Sequence, residues 1–376
     1  MNRRPELDWL RVVAIAILHA FHVGMMFNTW DFHLKNPDPL PVLEVPMSFL
    51  HVVRMPLLMV IAGIGTAIAL QRRSVGRFAL DRTKRLLLPL VFGMLVIVPP
   101  QIYIERLAHG EIHAGYLAFY RTVFELRPYP AGSFSWHHLW FVAYLFLYCI
   151  AALPLFAGLA TAPGRRLLGW LDRAWARGWV FALFVPLALE RIALGAHPET
   201  HALFNDPNTL AYYGLLFLSG HLVGRSHTVW PHLVARRWRY LLVLCVLLAV
   251  MLPPNLYPSP FEELGTAATV WCVALNAFAW TRWYFQRPAA RVPSWLDHAQ
   301  QLSYPFYILH QTVILAAGWA WLSIEMGPWS RFAAVLISSF VATWALCETV
   351  ARISLVRPLF GMGPRRVVSP RLAQVA

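Results

Sequence analysis

Charged side chains are what this chain has least of. Asp, Glu, Lys and Arg make up 13% of its 376 residues, about half the share a soluble globular chain carries. Apolar residues make up 58%, and mean hydropathy is +0.52. That balance excludes a soluble domain. Cysteine is scarce too. Cys149, Cys245, Cys272 and Cys347 all fall within apolar runs and show no zinc-type spacing. They read as small hydrophobes, and no disulfide framework is implied. There is no Walker loop and no G-x-G-x-x-G after a strand, so neither nucleotide hydrolysis nor a dinucleotide site is indicated. No internal repeat or low-complexity tract interrupts the chain. The N-terminus, MNRRPELDWLRVVAIAILHAFHV, lacks a small-residue cleavage site and carries Arg11, His19 and His22. It reads as a retained helix rather than a signal peptide.

What the chain does have is apolar stretches. About 20 mostly apolar residues cross the hydrocarbon core of a bilayer. Ten stretches qualify, at roughly 9–29, 48–70, 86–104, 138–159, 178–196, 209–224, 239–254, 265–285, 304–323 and 332–354. The one at 209–224 is short, and 239–254 ends at Pro253 and Pro254. With the N-terminus placed inside, all but seven of the 32 basic residues fall on inner segments; the exceptions are Lys35, Arg54, Arg106, Arg121, Arg127, Arg191 and Arg331. All but six of the 18 acids fall outside or in the outer halves of spans, the exceptions being Glu6, Asp8, Asp81, Asp172, Asp297 and Glu348. Inner loops of membrane proteins carry such a basic excess. The expected fold is therefore an all-α integral membrane bundle of about ten transmembrane helices with both termini cytoplasmic. The net charge of +14 then reflects topology and attraction to anionic inner-leaflet lipids. No nucleic acid is expected, since no basic stripe lies on a soluble surface.

Ionisable groups inside these stretches are expensive to bury and mark function by default. Arg11 and His22 share the first stretch with ten residues between them. At 1.5 Å per residue His22 lies about 16 Å beyond Arg11 along one helix. A histidine near neutral pKa can take a proton from a hydroxyl. The plain alternative is a packing histidine, and His19 one turn earlier competes for the role. Arg82 and Arg85, in DRTKRLLLP, stand before the third stretch. They and Arg11 would suit a phosphate clamp, or would simply snorkel to the interface. Arg54, in HVVRMPLLMVIAG, lies in the outer third of the second stretch and should be paired or substrate-facing. His310, in SYPFYILHQ, and Glu348, in ALCETVARI, sit on the last two stretches at similar expected depth. They would face each other, as catalytic groups or as a structural ion pair. His137 and His138 open the fourth stretch beside Trp136 and Trp140. An interfacial aromatic belt and sugar stacking both fit these. By depth the polar groups form a column from Arg11, Arg82 and Arg85, through Glu348 and His310, to His22, and on to Arg54 and His138.

The stretches LDWLRVVAIAILHAFH, FLHVVRMPLLMVIAG, DRTKRLLLP, HHLWFVAYL, SYPFYILHQ and ETVARISLVRPLF together resemble the membrane acyltransferase-3 family. The chain looks most like the glucan-modifying members that succinylate periplasmic glucans. The resemblance implies an acyltransferase domain over 1–360 and a short basic cytoplasmic tail over 361–376. It implies acyl-CoA (succinyl-CoA or acetyl-CoA) as co-substrate, a carbohydrate acceptor on the outer side, a multi-pass cell inner membrane location and no metal. It assigns catalysis to His22, and donor binding to Arg11, Arg82 and Arg85. Glu348 and His310 join as catalytic candidates, and Arg54 and His138 as substrate-binding ones. The family usually has Ser where Ala62 stands before Gly63. No extra span or extracytoplasmic domain is expected, unlike the relatives that acetylate O-antigen or peptidoglycan. A transporter or flippase for a polar solute is the alternative, though no paired broken helices or repeat symmetry support it.

The ten-span scheme makes a direct prediction. Reporter fusions after residues 40, 115, 200, 260 and 326 should all report the outer side. A cytoplasmic signal at any of them breaks the scheme from that point onward.

Overall fold

The computed structural model describes residues 4–251 and 259–364. The described chain is helical and has no strand; its one isolated bridge joins Pro128 and Phe134. We label the helices α1 (Pro5–Phe27), α2 (Glu44–Leu70), α3 (Val75–Ala108), α4 (His137–Ala151), α5 (Leu153–Leu159), α6 (Ala162–Ala176), α7 (Phe184–Leu194), α8 (Pro207–Arg225), α9 (Val229–Ala235), α10 (Arg237–Met251), α11 (Ser259–Gln286), α12 (Leu296–Leu322) and α13 (Pro328–Arg352). Most of the 361–376 tail, and Pro253 and Pro254 at the end of the seventh expected stretch, lie outside the described residues.

Every expected stretch is helical over its described part, but they are not equally apolar. Among the described residues five helices are long and apolar enough to cross a membrane: α1, α2 with the turn before it, α3, α11 from Pro260, and α13. The pair α4 and α5, bent by 47°, is either a broken sixth span or a re-entrant loop. The others fall short for separate reasons. Helix α7 has only 11 residues and α10 only 15. Helices α8 and α12 are long enough but carry polar residues among their buried positions, including Asn208, Thr209, Ser219 and His221 on α8 and Ser303, His310 and Gln311 on α12. A helix wrapped by other helices need not be apolar all round. The apolar exposed residues instead cluster on helices such as α10 (Leu242, Val246) and α13 (Ile337, Val341), as faces in contact with lipid would.

Helix α1 packs against α2, α11, α12 and α13. Pro5 starts it, where a missing N–H costs nothing, and Glu6 and Asp8 lie in its first turn, where the helix dipole favours anions. Glu6 is fully buried. It is held by Arg4 at 2.5 Å and by Arg282 of α11 at 2.8 Å. At the far end the Lys35 ammonium donates to the carbonyls of Met25, Asn28 and Trp30 at 2.6–2.8 Å. A cation suits the unpaired carbonyls of a helix C-terminus. Burial holds the Lys35 pKa below its ordinary value. The bonds to Lys35 fold loop 28–40 back over the end of α1.

Two helices depart from regular geometry near polar motifs. Helix α3 widens to π turns at Thr83–Leu87 and Gly93–Ile97, a feature common near functional sites. The first holds Arg85 and follows Arg82. Helix α12 contains Pro305, which cannot donate to the carbonyl of Gln301 one turn back.

The closest helix crossing joins α2 to α8. A Cβ on Gly63 would lie 2.1 Å from the Phe217 carbonyl oxygen, and one on Gly220 would lie 2.2 Å from the Val60 oxygen. Small residues let helix backbones approach this closely. Gly63→Val should therefore lower stability by about 1–3 kcal/mol. Gly76→Ala, with nothing within 4 Å of the added carbon, should change it by less than about 0.5 kcal/mol. Melting temperatures of both variants in detergent check this; equal values would mean that the α2–α8 contact adapts.

Candidate active site

His22 and His310 meet at the centre of the bundle. His22 Nδ1 lies 2.8 Å from His310 Nε2, and His310 Nδ1 lies 2.7 Å from the Tyr307 carbonyl oxygen. A carbonyl only accepts, so His310 Nδ1 carries a proton. Neutral His310 then offers a lone pair at Nε2 and accepts from His22 Nδ1–H. The lone pair of His22 is left on Nε2. The tautomer of one ring is thus set through the other by a backbone oxygen. A base with its lone pair aimed away from its supporting bond is the arrangement general-base chemistry needs.

His19 is placed quite differently. It is 1% exposed, its Nε2 is 3.1 Å from Ser339 Oγ, and Phe306 and Phe340 pack edge-on against it. It serves the contact of α1 with α12 and α13. His138 does not present a sugar platform. It is 6% exposed. Its Nε2–H donates to the Ile308 carbonyl at 3.0 Å, and Gln101 Nε2 donates to its Nδ1 at 3.3 Å. Both ring nitrogens are used within the protein, and the ring stands edge-on to His310 at 5.3 Å. His138 backs His310. Gln101, fully buried, also donates to Thr312 at 2.7 Å and accepts from Gln311 at 3.2 Å. These bonds hold α3 to α12 beside the histidines.

The expected facing of His310 and Glu348 is not formed. Glu348 pairs with His298, near the start of α12. His298 and His310 are twelve residues apart, about 18 Å along the helix. The depth count went wrong because α12 begins at Leu296, eight residues before the apolar stretch does.

Arg11 of α1 and the Arg82–Arg85 pair of α3 line one cavity of about 1030 Å³. Glu348, His298, Arg352, Arg357 and Tyr304 line it as well, with Ala62 and Gly65 from α2. Arg85 Nε is 3.0 Å from Asp81. Arg82 lies over the Phe78 ring at 4.8 Å, its Nε buried without a partner, and the Tyr304 hydroxyl is likewise unpaired. The lining also includes Ile15, Leu58, Phe141 and Tyr307. His22 is not in the lining; it lies seven residues beyond Ile15 on α1, about 10 Å further.

Beyond His22 the surroundings are aromatic. The Phe32 ring stacks on His22 at 6.3 Å. The Arg54 guanidinium lies 3.5 Å over the ring of Phe21, and its Nη1 donates to the Leu50 carbonyl at 3.3 Å; Nε is buried without a partner. Among the described residues Arg54 has no carboxylate partner. The Trp140 ring lies tilted against His201 at 4.2 Å and packs edge-on against Tyr213, while Trp136 Nε1 donates to the His201 carbonyl at 2.8 Å. Burial keeps the His201 pKa below its ordinary value.

A basic cavity on one side, a histidine pair in the middle and an aromatic wall with one cation on the other describe a transfer site. A family model described as an acyltransferase domain, of the acyltransferase-3 family, matches residues 4–348. The chain belongs to the acyltransferase-3 family. No curated protein and no solved structure matches it. It is thus an acyltransferase for groups other than amino-acyl groups, and a multi-pass membrane protein.

Some residues of this acyltransferase site were not singled out from the sequence. Tyr304 and Arg352 lie inside SYPFYILHQ and ETVARISLVRPLF, which had been noted as whole motifs. His298 and Gln101 carried no signal, because their partners are far away in the chain.

The relay gives a testable role to His310 as a positioning residue. His310→Ala leaves His22 Nδ1–H unpaired and its ring free to turn. An unpaired buried donor costs about 1–3 kcal/mol, so kcat should fall roughly 5- to 150-fold. The donor KM should stay within about twofold, and the pH–rate profile should move. An unchanged kcat and profile would show that His22 acts without the relay.

Proposed function

We propose that this acyltransferase moves an acyl group, succinyl or acetyl, from cytoplasmic acyl-CoA to a hydroxyl of an extracytoplasmic carbohydrate, a glucan, across the cell inner membrane. This reading includes ten spans with both termini inside, so that Arg11, Arg82 and Arg85 face the cytoplasm. The observation that carries it is the His22–His310–Tyr307 relay standing beyond a cavity ringed by arginines. Guanidinium groups suit the phosphates of coenzyme A. A cavity of about 1030 Å³ is at the upper end of the range for ligand sites, as a long donor requires.

The acceptor hydroxyl oxygen attacks the thioester carbonyl carbon while its proton passes to His22 Nε2. The carbon–sulfur bond breaks, and the leaving thiolate takes that proton back. Ester and free thiol result, and His22 ends neutral. No acyl-enzyme is needed. Trp140 and His201 offer rings for a sugar in place of His138. Arg54 would meet the free carboxylate of a succinyl group. Glu348, paired with His298 at the inner cavity, fits a role in holding the donor rather than in proton transfer. A transporter reading gains nothing from a histidine pair whose tautomer is fixed.

The experiment mixes purified protein with radiolabelled succinyl-CoA or acetyl-CoA and periplasmic glucan. Labelled glucan should form, which would dispose of the transporter. At matched protein levels His22→Ala should lose about 10²–10⁴-fold and His19→Ala far less. Arg82→Ala and Arg85→Ala should each weaken donor use by roughly 1.5–3 kcal/mol. An active His22→Ala beside a dead His19→Ala would reverse the assignment of the two histidines.

A further inference from the structure

We propose that His33, Glu105 and His137 form a site for a divalent transition-metal ion of the zinc class, distinct from the histidine pair. The three residues come from three segments: the loop after α1, the last turn of α3 and the start of α4. One ligand atom from each lies within 4.8 Å of the other two. His33 Nδ1 is 2.7 Å from Glu105 Oε2, and the His33 and His137 rings stack at 4.7 Å. The site runs against the expectation of a metal-free enzyme. No motif announces it, since 72 and 32 residues separate its members.

The deciding atom is His137 Nε2, which is buried and has no hydrogen-bond partner. Buried polar atoms are normally paired, so an orphan needs a reason. The other nitrogen of that ring, Nδ1, is 2.8 Å from Ser135 Oγ. Donation from Nδ1–H to Ser135 leaves the Nε2 lone pair for a ligand, the usual pattern behind metal-bound histidines. His137 also has φ +40°, a left-handed conformation that a non-glycine residue holds only under constraint. The second oxygen of Glu105 accepts from the Tyr129 hydroxyl at 2.6 Å, so the carboxylate too is oriented from behind.

Two imidazoles and one carboxylate with a fourth position open form a recurrent zinc set. Imidazole ligands favour zinc, copper or nickel over magnesium or calcium. At metal–ligand bonds of about 2.0–2.2 Å, tetrahedral neighbours lie about 3.3 Å apart. The His33–Glu105 pair must open slightly and His137 must swing inward. An ion here fastens loop 28–40 to α3 and α4. That loop carries Phe32, the ring stacked on His22. The site thereby fixes the outer wall of the histidine pair, and its existence does not depend on which group is transferred.

Full-length protein in detergent, stripped with a chelator and then titrated with Co²⁺, should develop visible d–d absorption saturating at one ion per chain. Zn²⁺ should bleach it. Glu105→Gln and His137→Ala should each weaken Co²⁺ binding about 10- to 100-fold. If His137→Ala does not fold, the wild-type titration and Glu105→Gln decide. No d–d band in the wild type at micromolar Co²⁺ overturns the proposal, and leaves a His33–Glu105–Tyr129 hydrogen-bond cluster. A band unchanged in both variants overturns it too, since the ion then sits elsewhere.

Discussion

The bond from His310 Nδ1 to the Tyr307 carbonyl, 2.7 Å long, is the constraint on which the centre of the molecule depends. A backbone oxygen within a helix neither rotates nor changes its hydrogen-bonding sense. It forces one tautomer on His310, and His310 forces one on His22. The next carbonyl along, that of Ile308, orients His138 in the same way. Helix α12 thus serves as a rigid template of acceptors, and histidines from α1, α4 and α12 itself read it. Burial gives this arrangement its strength. Each polar group taken from water without a partner costs about 1–3 kcal/mol, so the interior tolerates few alternatives. The Gln101, Gln311 and Thr312 bonds meet the same demand one layer outward.

That demand also decides what can be read from a sequence. Arg11, Arg82 and Arg85 were legible as one group because each lies at the expected inner end of an apolar stretch, and they do line one cavity. His22 was favoured over His19, and the two rings do lie in different surroundings although they share a helix. What failed was any inference that needed a helix start or a facing direction. Helix α12 begins with polar residues, which an apolar window cannot see, and His310 was placed too near Glu348 for that reason. His138 was expected to bind substrate at the outer end of its stretch, beside Trp136 and Trp140, yet Gln101 and Ile308 hold both of its nitrogens. Helices α8 and α12 show the same effect in reverse. Their polar residues face protein, so their hydropathy understates how deep they lie.

The inner cavity and the histidine pair are adjacent but not continuous. Ile15, Leu58 and Phe141 line the cavity, His22 does not, and it lies about 10 Å beyond Ile15 along α1. With the proposed acyl-CoA donor, an open aqueous column joining them would give water the same access to the thioester as the acceptor hydroxyl. Excluding water from a transfer site suppresses that side reaction. An apolar floor does this while letting a slender acyl arm displace side chains rather than break hydrogen bonds. The charged head of a donor would stay among the arginines, where the surroundings are polar. On the proposed reading, the partition of the site follows from the chemistry each part would accommodate: cations where phosphate would be held, apolar side chains where water would be kept out, and a ring of fixed tautomer where a proton would move.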